Sequence, residues 1–215
     1  MADFLDDAHQ QATASFEDHV MTIEQDDGVH RCIHFGRPGA SAYSYRLVTW
    51  PGHLAISGDL EDFTFSRLLD MFEFFRHDRP NYSYWAQKTT ARSSFGTKVF
   101  SDRLYRSAVV RELWEMRHEI RRTTGRSASE VLRDVREELL ADEFPDEREA
   151  IMRTMDFSLR TADELRTWNL FHEFYEHRLT EPSFNFRLSC WAIVHGIKSY
   201  DAAKARAAKS PELVA

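Results

Sequence analysis

Three groups of residues in this sequence have side chains suited to acid–base chemistry or metal binding. In the first, His53 is followed by Asp59 and Asp62 in the glycine-containing segment "TWPGHLAISGDLEDFTFSR". A histidine and two carboxylates are a combination that enzymes use for general acid–base catalysis. The same residue types are common at exposed turns, and no nucleophile motif such as GxSxG accompanies them. We therefore interpret the segment as the turns of a small sheet, with an enzymatic site as the alternative.

Two further groups have the residue types of a zinc site but not its spacing. His30, Cys32 and His34 alternate along a predicted strand, so they share one face but lie about 6–7 Å apart from one to the next. We expect that face to pack under helices. His172 and His177 are five residues apart, whereas the HExxH zinc motif places its histidines four apart on one helical face. The sequence predicts no metal, no cofactor and no catalytic residue.

Charge is unevenly distributed along the chain, whose net charge is −7. Residues 1–75 contain 13 acidic and 4 basic residues, and residues 127–215 contain 17 and 12. Residues 76–126, by contrast, contain 5 acidic and 12 basic residues. A basic segment between two acidic ones indicates charged partners, because complementary charge steers association and selects among partners.

The basic segment contains a predicted helix over residues 102–123 with arginines along one edge. At about 100° per residue, four arginines fall close together, with a tryptophan on the same flank. Arginine beside an aromatic ring suits phosphates, stacked bases or an acidic protein surface, and pairing with the acids of residues 130–149 is the structural alternative. This predicted basic edge consists of Arg103, Arg106, Trp114, Arg117 and Arg121.

A run of carboxylates follows in the segment "EELLADEFPDERE", which has seven acidic residues and one arginine. Such a run is commonly a solvated surface, but it also suits docking into the basic groove of a nucleic-acid-binding protein. An acidic protein repels DNA, so mimicry of nucleic acid fits the net charge better than DNA binding does. The predicted acidic face consists of Glu137, Glu138, Asp142, Glu143, Asp146 and Glu147.

The elements that position these residues are a sheet followed by helices. Alternating apolar residues and turn signals at "DDG", "RPG" and "PG" predict an antiparallel meander of four or five strands over residues 19–66, after a short helix. From residue 67 the apolar spacing becomes helical, which predicts an α+β fold with the meander packed against a mostly helical C-terminal half. The helices are predicted at 3–16, from 67 onward, in "YSYWAQK", and at 102–123, 127–141, 146–158, 163–179 and 184–205, with a loop in "TARSSFGTK".

Length and composition predict one globular domain in the cytoplasm. The chain is 42% hydrophobic and 29% charged, and its two cysteines are too few for a disulfide framework. We expect no signal peptide and no membrane helix, because no segment has the required apolar length. The single domain spans residues 1–215, sheet-rich over 1–66 and helical over 67–205, with a frayed tail at 206–215.

Several motifs resemble a family of small accessory proteins encoded by tailed phages and prophages. They are the "RPG" loop, "LVTWPGHLAISGD" and "FSRLLDMFEFF" within residues 34–76, followed by "YWAQK" and by "CWAIVHGIKSYD" at 190–201. The resemblance is good over residues 29–88 and patchy in the helical half. Family members tend to have a glycine after "GDM", where this chain has "GDLED" with two extra carboxylates, Glu61 and Asp62. The resemblance implies no reaction, but it implies a phage setting in which small proteins, such as anti-CRISPRs, modulate host machinery by binding.

The expected function is therefore that of a phage-encoded, non-enzymatic binding protein in the host cytoplasm. It would inhibit a bacterial defence complex, in the manner of an anti-CRISPR, by docking through its charged and aromatic surface. One alternative is a nucleic-acid-binding accessory protein of phage replication or recombination. Another is a phage enzyme that acts on nucleotides or nucleic acid.

Overall fold

The computed structural model describes residues 7–94 and 96–209, and the chain forms two compact units. Unit 1 comprises Met1–Lys98 and Pro182–Ala215, and unit 2 comprises Val99–Glu181. The fold class is α+β, with the sheet in the N-terminal half and mostly helices after it, as the sequence predicts. Cooperative folding of the whole chain as one domain stays a prediction.

Unit 1 is built on a six-stranded antiparallel sheet whose strands follow one another in chain order. Five strands arise where the meander is predicted, and the sixth comes from the segment predicted as a loop. That strand is an exposed edge with no alternating apolar residues, so no pattern in the sequence indicates it. The strands are β1 (Val20–Asp27), β2 (His30–Gly36), β3 (Tyr45–Trp50), β4 (His53–Gly58), β5 (Phe63–Ser66) and β6 (Thr89–Arg92).

The two glycines of the segment "TWPGHLAISGDLEDFTFSR" form turns. Gly52 has φ of 80° between β3 and β4, and Gly58 has φ of 137° at the end of β4. A Cβ atom at Gly58 would lie 2.5 Å from the carbonyl oxygen of Ser44, so a side chain there is excluded by space as well as by conformation. The interpretation of these glycines as turn residues is confirmed.

The remaining elements are helices and two small antiparallel ribbons, β7 with β10 and β8 with β9. Within the described residues, no helix has both the length and the apolar character needed to cross a membrane. The helices are α1 (Asp7–Phe16), α2 (Met71–Phe75), α3 (Tyr82–Ala86), α4 (Asp102–Glu115), α5 (Arg117–Thr124), α6 (Ala128–Glu138), α7 (Glu147–Met155) and α8 (Phe184–Lys209). The ribbon strands are β7 (Lys98–Phe100), β8 (Ser158–Arg160), β9 (Thr167–Asn169) and β10 (Thr180–Pro182).

One face of the six-stranded sheet is buried by helices, chiefly α8. An apolar stripe of α8 is buried from Phe186 to Ile197. The helix approaches the sheet most closely at Gly196, where a Cβ atom would lie 2.6 Å from Leu47 Cδ1. The sheet residues of this core are Ile33, Phe35, Tyr45, Leu47, Leu54, Ile56, Phe63 and Phe65.

Unit 2 has its own hydrophobic core, formed by helices α4 to α7 and the segment after them. The apolar side chains of the 102–123 region are buried at Tyr105, Val109, Leu113 and Ile120. A capping box starts α6, because the side chains of Ser127 and Glu130 each accept a backbone N–H of the other.

The helix predicted at 163–179 is wrong. That region contains β9 and one turn of 3-10 helix at Phe174–Glu176. Local polar side chains bind the backbone there: Asp163 Oδ1 accepts the N–H of Leu165 at 3.1 Å, and Asn169 Oδ1 accepts the N–H of Phe171 at 3.0 Å. Such bonds compete with helical hydrogen bonding, which explains why the apolar spacing does not yield a helix.

Other boundaries also differ from the sequence predictions. The helix predicted from residue 67 begins at Met71, because the Asp70 side chain accepts the N–H of Phe72 and caps α2. Helix α8 extends to Lys209, so the described part of the predicted tail, 206–209, is helical. Residues 3–6 of the first predicted helix and 210–215 of the tail lie outside the described residues.

Candidate interaction surface and pocket

The possible acid–base cluster at His53 does not assemble. His53 begins β4 and Asp59 follows its end, and six residues of extended strand span roughly 20 Å. The His53 ring stacks on Trp50 at a centroid distance of 5.0 Å, while Asp59 Oδ2 accepts the Tyr43 N–H at 2.7 Å. Asp62 is exposed in the next turn. These side chains therefore belong to separate turns, as the turn interpretation requires.

The histidines and cysteine of β2 share one face of the strand, but it is not the face that packs under helices. The alternate residues of the strand, Arg31, Ile33 and Phe35, are buried instead. The expectation of a helix-covered face at His30, Cys32 and His34 is therefore wrong. Cys32 Sγ donates to Glu24 Oε2 at 3.0 Å. Burial, together with this carboxylate, raises the pKa of the Cys32 thiol, which favours the protonated form.

The histidines of the "HEFYEH" segment lie outside any α-helix. His177 Nε2 is 2.7 Å from Glu112 Oε2, whereas His172 Nε2 is 3.8 Å from Glu173 Oε1. Among residues 7–94 and 96–209, no three His, Cys, Asp or Glu side chains are arranged to hold a metal ion.

The predicted basic edge is interrupted in its middle. The helix predicted over 102–123 is two helices, because Met116 has φ −82° and ψ 3° and separates α4 from α5. A side chain contributes to this break: Arg117 Nη1 donates to the carbonyl oxygen of Trp114 at 2.9 Å, near the end of α4. The projection that aligned Arg103 and Arg106 with Arg117 and Arg121 assumes one continuous helix, and that assumption is wrong. Binding through these residues stays a prediction.

The two arginines of the predicted basic edge that lie on α4, Arg103 and Arg106, are also paired with nearby acids. Arg103 Nη2 lies 3.0 Å from Glu181 Oε2, and Arg106 Nε lies 2.5 Å from Asp102 Oδ2. Arg106 additionally donates to the carbonyl oxygen of Leu140. The expected internal pairing therefore occurs, although its acids come from outside residues 130–149.

The remaining part of the basic edge is small. The Trp114 side chain is 45% exposed, and the Arg121 side chain has no hydrogen bond or ion pair within the described residues. Arg117 binds only a backbone carbonyl, so two arginines of the edge, Arg117 and Arg121, have no ion pair within the described residues. Two arginines and one half-exposed ring are a weak basis for a phosphate-binding surface, which normally combines several cations.

The predicted acidic face divides into two parts with different roles. In the second part the carboxylates are used by the fold. Asp146 Oδ1 accepts the N–H of Glu149 at 2.9 Å and caps α7, and Glu147 Oε1 accepts the N–H of Leu179 at 3.0 Å. Carboxylates at a helix N-terminus stabilise it, so Asp146 and Glu147 are explained by local structure.

Within the described part of the chain, the carboxylates in the first part of the acidic face do not cap a helix or bind a backbone N–H. Glu137, Glu138, Asp142 and Glu143, here named the 137–143 carboxylates, are all exposed. None of the four makes a hydrogen bond or an ion pair through its side chain with any other described residue. Glu137 and Glu138 occupy the last turn of α6, next to the negative end of the helix dipole. Carboxylates there cost roughly 0.3–1 kcal/mol each, so the fold alone does not favour them.

A pocket in unit 1 was not predicted. It lies between α1 and α8. Its volume of about 390 Å³ is within the size range of small-molecule sites. Its aromatic wall includes the rings of His9 and Trp191, stacked at 4.0 Å. The side chains that give the pocket its chemistry are His9, Thr13, Phe16, Trp191, His195 and Lys198.

A buried hydrogen bond lies behind this pocket. The Tyr45 hydroxyl is 2.7 Å from Nδ1 of His195. Burial raises the pKa of Tyr45 well above its usual value, so the hydroxyl keeps its proton. Burial, followed by the nearby charge of His19, lowers the pKa of His195 from 6.5 to about 4, so its ring is neutral at pH 7.

The spacing of the pocket residues along the sequence groups them on two helical faces. Trp191, His195 and Lys198 have i, i+4, i+7 spacing on α8, and His9 and Thr13 are four apart on α1. Each set therefore shares a helical face with mixed polar and aromatic character. Their meeting depends on the contact between the first and last helices, which the spacing within each helix does not show.

Comparison of the chain with protein-family models, with curated proteins and with solved structures gives no match.

Proposed function

We propose that this chain is a non-enzymatic binding protein that docks the 137–143 carboxylates onto a basic surface of a partner protein. The observation that carries the proposal is that these four exposed carboxylates make no side-chain hydrogen bond or ion pair with the described residues, and two of them oppose a helix dipole. A partner that supplies arginines and lysines would neutralise them, and the charge pattern would speed and orient the encounter.

A basic protein surface fits this arrangement better than nucleic acid does. The carboxylates repel phosphates, and Arg103 and Arg106 of α4 are already paired with Glu181 and Asp102. Basic grooves that bind nucleic acid are surfaces to which several closely spaced carboxylates are complementary. The partner class that we propose is therefore a nucleic-acid-binding protein complex.

The resemblance to phage accessory proteins supports a more specific partner. We propose a bacterial defence complex of the CRISPR type, inhibited in the host cytoplasm by a phage-encoded protein that covers its nucleic-acid groove. The resemblance of the "LVTWPGHLAISGD" and "FSRLLDMFEFF" motifs supports the phage setting. The 137–143 carboxylates supply the mechanism.

The test measures binding to purified DNA-targeting CRISPR effector complexes, together with inhibition of their DNA binding. The triple variant Glu138→Lys, Asp142→Lys and Glu143→Lys reverses three of the four charges. We expect it to weaken binding more than tenfold, and we expect binding of the unaltered chain to fall with salt, because exposed charges are screened.

The matched control reverses three exposed carboxylates of unit 1, with the variant Asp27→Lys, Asp62→Lys and Glu73→Lys. It changes the net charge by the same amount, so binding should persist if the position of the charges matters. Equal loss in both triple variants would point to net charge alone. Binding of DNA or RNA by the isolated chain, lost on Arg117→Glu with Arg121→Glu, would instead favour the nucleic-acid-binding alternative.

A further inference from the structure

The pocket between α1 and α8 combines an apolar lining with a small number of polar side chains. The apolar and aromatic part of the lining includes Phe16, Val194 and the stacked pair of His9 and Trp191. Flat ligands pack well against such rings, because offset stacking and close dispersion contacts both favour planar partners. A volume of about 390 Å³ accommodates a molecule with one or two fused rings.

One hydrogen-bond donor is fixed at the wall of the pocket. The Tyr45 hydroxyl is hydrogen-bonded to Nδ1 of His195 at 2.7 Å. The hydroxyl is the donor in this bond, because a phenol is a better donor than a neutral imidazole N–H. Nδ1 is then the acceptor, and the ring carries its proton on Nε2. Because His195 lines the pocket, this N–H is the group that it offers to a ligand.

Lys198 provides a cation one helical turn after His195 on α8. Lys198 Nζ lies 3.0 Å from Asp78 Oδ1, but its side chain is 55% exposed and that of Asp78 is 97% exposed. An ammonium group has three donors, so Lys198 can keep this weak surface pair and still bind a ligand anion. Glu17, the residue directly after α1, also lines the pocket. It disfavours an anion bound near α1, so the favoured position for the charge is beside α8.

We propose that this pocket binds a small planar aromatic carboxylate. The ring would pack against Phe16, Val194 and Trp191, and the carboxylate would accept from His195 Nε2 and from the ammonium group of Lys198. This site belongs to unit 1 and does not depend on the 137–143 carboxylates of unit 2. Its success or failure is therefore separate from that of the proposed partner docking.

The probe is 1-naphthoate, with 1-naphthalenemethanol as its neutral counterpart, titrated calorimetrically into the full chain. We expect saturable 1:1 binding of 1-naphthoate, and binding at least tenfold weaker for the alcohol. In the variant Lys198→Gln, affinity for 1-naphthoate should fall at least tenfold while affinity for the alcohol changes less than twofold. That split separates a charge contact from general loss of packing.

A second pair of variants tests the location of the site. Thr13 is exposed and lines the pocket, whereas its neighbour Ala14 is exposed and does not line it. Thr13→Trp should fill the pocket and abolish 1-naphthoate binding, and Ala14→Trp should leave it intact. The absence of saturable binding to the folded chain, or equal binding by both tryptophan variants, would overturn the proposal.

Discussion

Arg31 is a charged residue that lies almost wholly inside unit 1, with 8% of its surface exposed. Its two terminal nitrogens donate to the two oxygens of Asp70 at 2.9 and 2.8 Å, and its guanidinium lies 4.6 Å from the centre of the Phe72 ring. Asp70 also accepts the Phe72 N–H at 2.9 Å and caps α2. One carboxylate therefore neutralises a buried arginine and fixes the start of a helix.

Replacement of Asp70 by asparagine should destabilise the protein by about 3–5 kcal/mol, because it removes the charged partner to which the buried guanidinium is hydrogen-bonded. Partial burial acts to raise the pKa of Asp70, but the hydrogen bonds from Arg31 and Phe72 outweigh it and lower this pKa. The stabilisation is therefore present above the unfolded pKa of about 4, and it is lost as pH falls through the lower folded value. Urea unfolding at pH 7 and pH 3 should show a smaller loss of stability on acidification in Asp70→Asn than in the unaltered chain.

The control is Asp201→Asn, since Asp201 forms a similar two-point pair with Arg76 on the surface. Both side chains of that pair are more than a third exposed, so its loss should cost less than about 1 kcal/mol. If both substitutions cost less than about 1 kcal/mol, burial does not increase the contribution of the Arg31–Asp70 pair to stability.

For individual residues, the sequence shows which side chains are charged but not which groups they bind. Spacing along a helix gave the acids of 137–147 and the arginines of 103–121 as groups. It did not show that Asp146 is a cap, that Glu147 binds a backbone N–H, or that Arg103 is paired with Glu181. Two of these contacts join residues more than 30 positions apart, and only the fold brings them together.

Gly196 governs how closely α8 packs on the sheet. Glycine inside a helix is unfavourable by about 1 kcal/mol relative to alanine, so propensity alone predicts that Gly196→Ala stabilises the protein. The added methyl group would instead lie 2.6 Å from Leu47 and 3.1 Å from Phe35, both fully buried. We expect overpacking to dominate and to lower the free energy of unfolding by about 1–3 kcal/mol, measured by denaturant unfolding. A more stable Gly196→Ala variant would mean that α8 can shift away from the sheet without cost.

Elements were predictable where one strong pattern covered the whole segment. The first five strands have alternating apolar residues and glycine turns, and α8 has a continuous apolar stripe. Segments with mixed signals failed: β6 has no apolar face, and the break at Met116 contains neither glycine nor proline. The region 163–179 has helical apolar spacing, but its polar side chains bind the backbone and favour turns.

At the scale of the whole molecule, the buried apolar residues form two separate clusters. One contains residues of unit 1 only, including Leu54, and the other contains residues of unit 2 only, including Leu113. Each unit therefore has a hydrophobic core of its own among the described residues, as expected of a unit that can fold by itself. The single domain predicted from length and composition takes no account of this division, because residue totals do not show which side chains meet.

Hydrogen exchange can decide between separate opening and one cooperative domain. Leu113→Ala creates a cavity in unit 2 and should cost about 2–5 kcal/mol, and Leu54→Ala should do the same in unit 1. If the units open separately, as we expect, Leu113→Ala accelerates amide exchange within residues 99–181 and leaves the sheet amides protected, while Leu54→Ala has the opposite effect. Uniform acceleration over both units in both variants would show instead that the chain unfolds as the one domain predicted from its sequence.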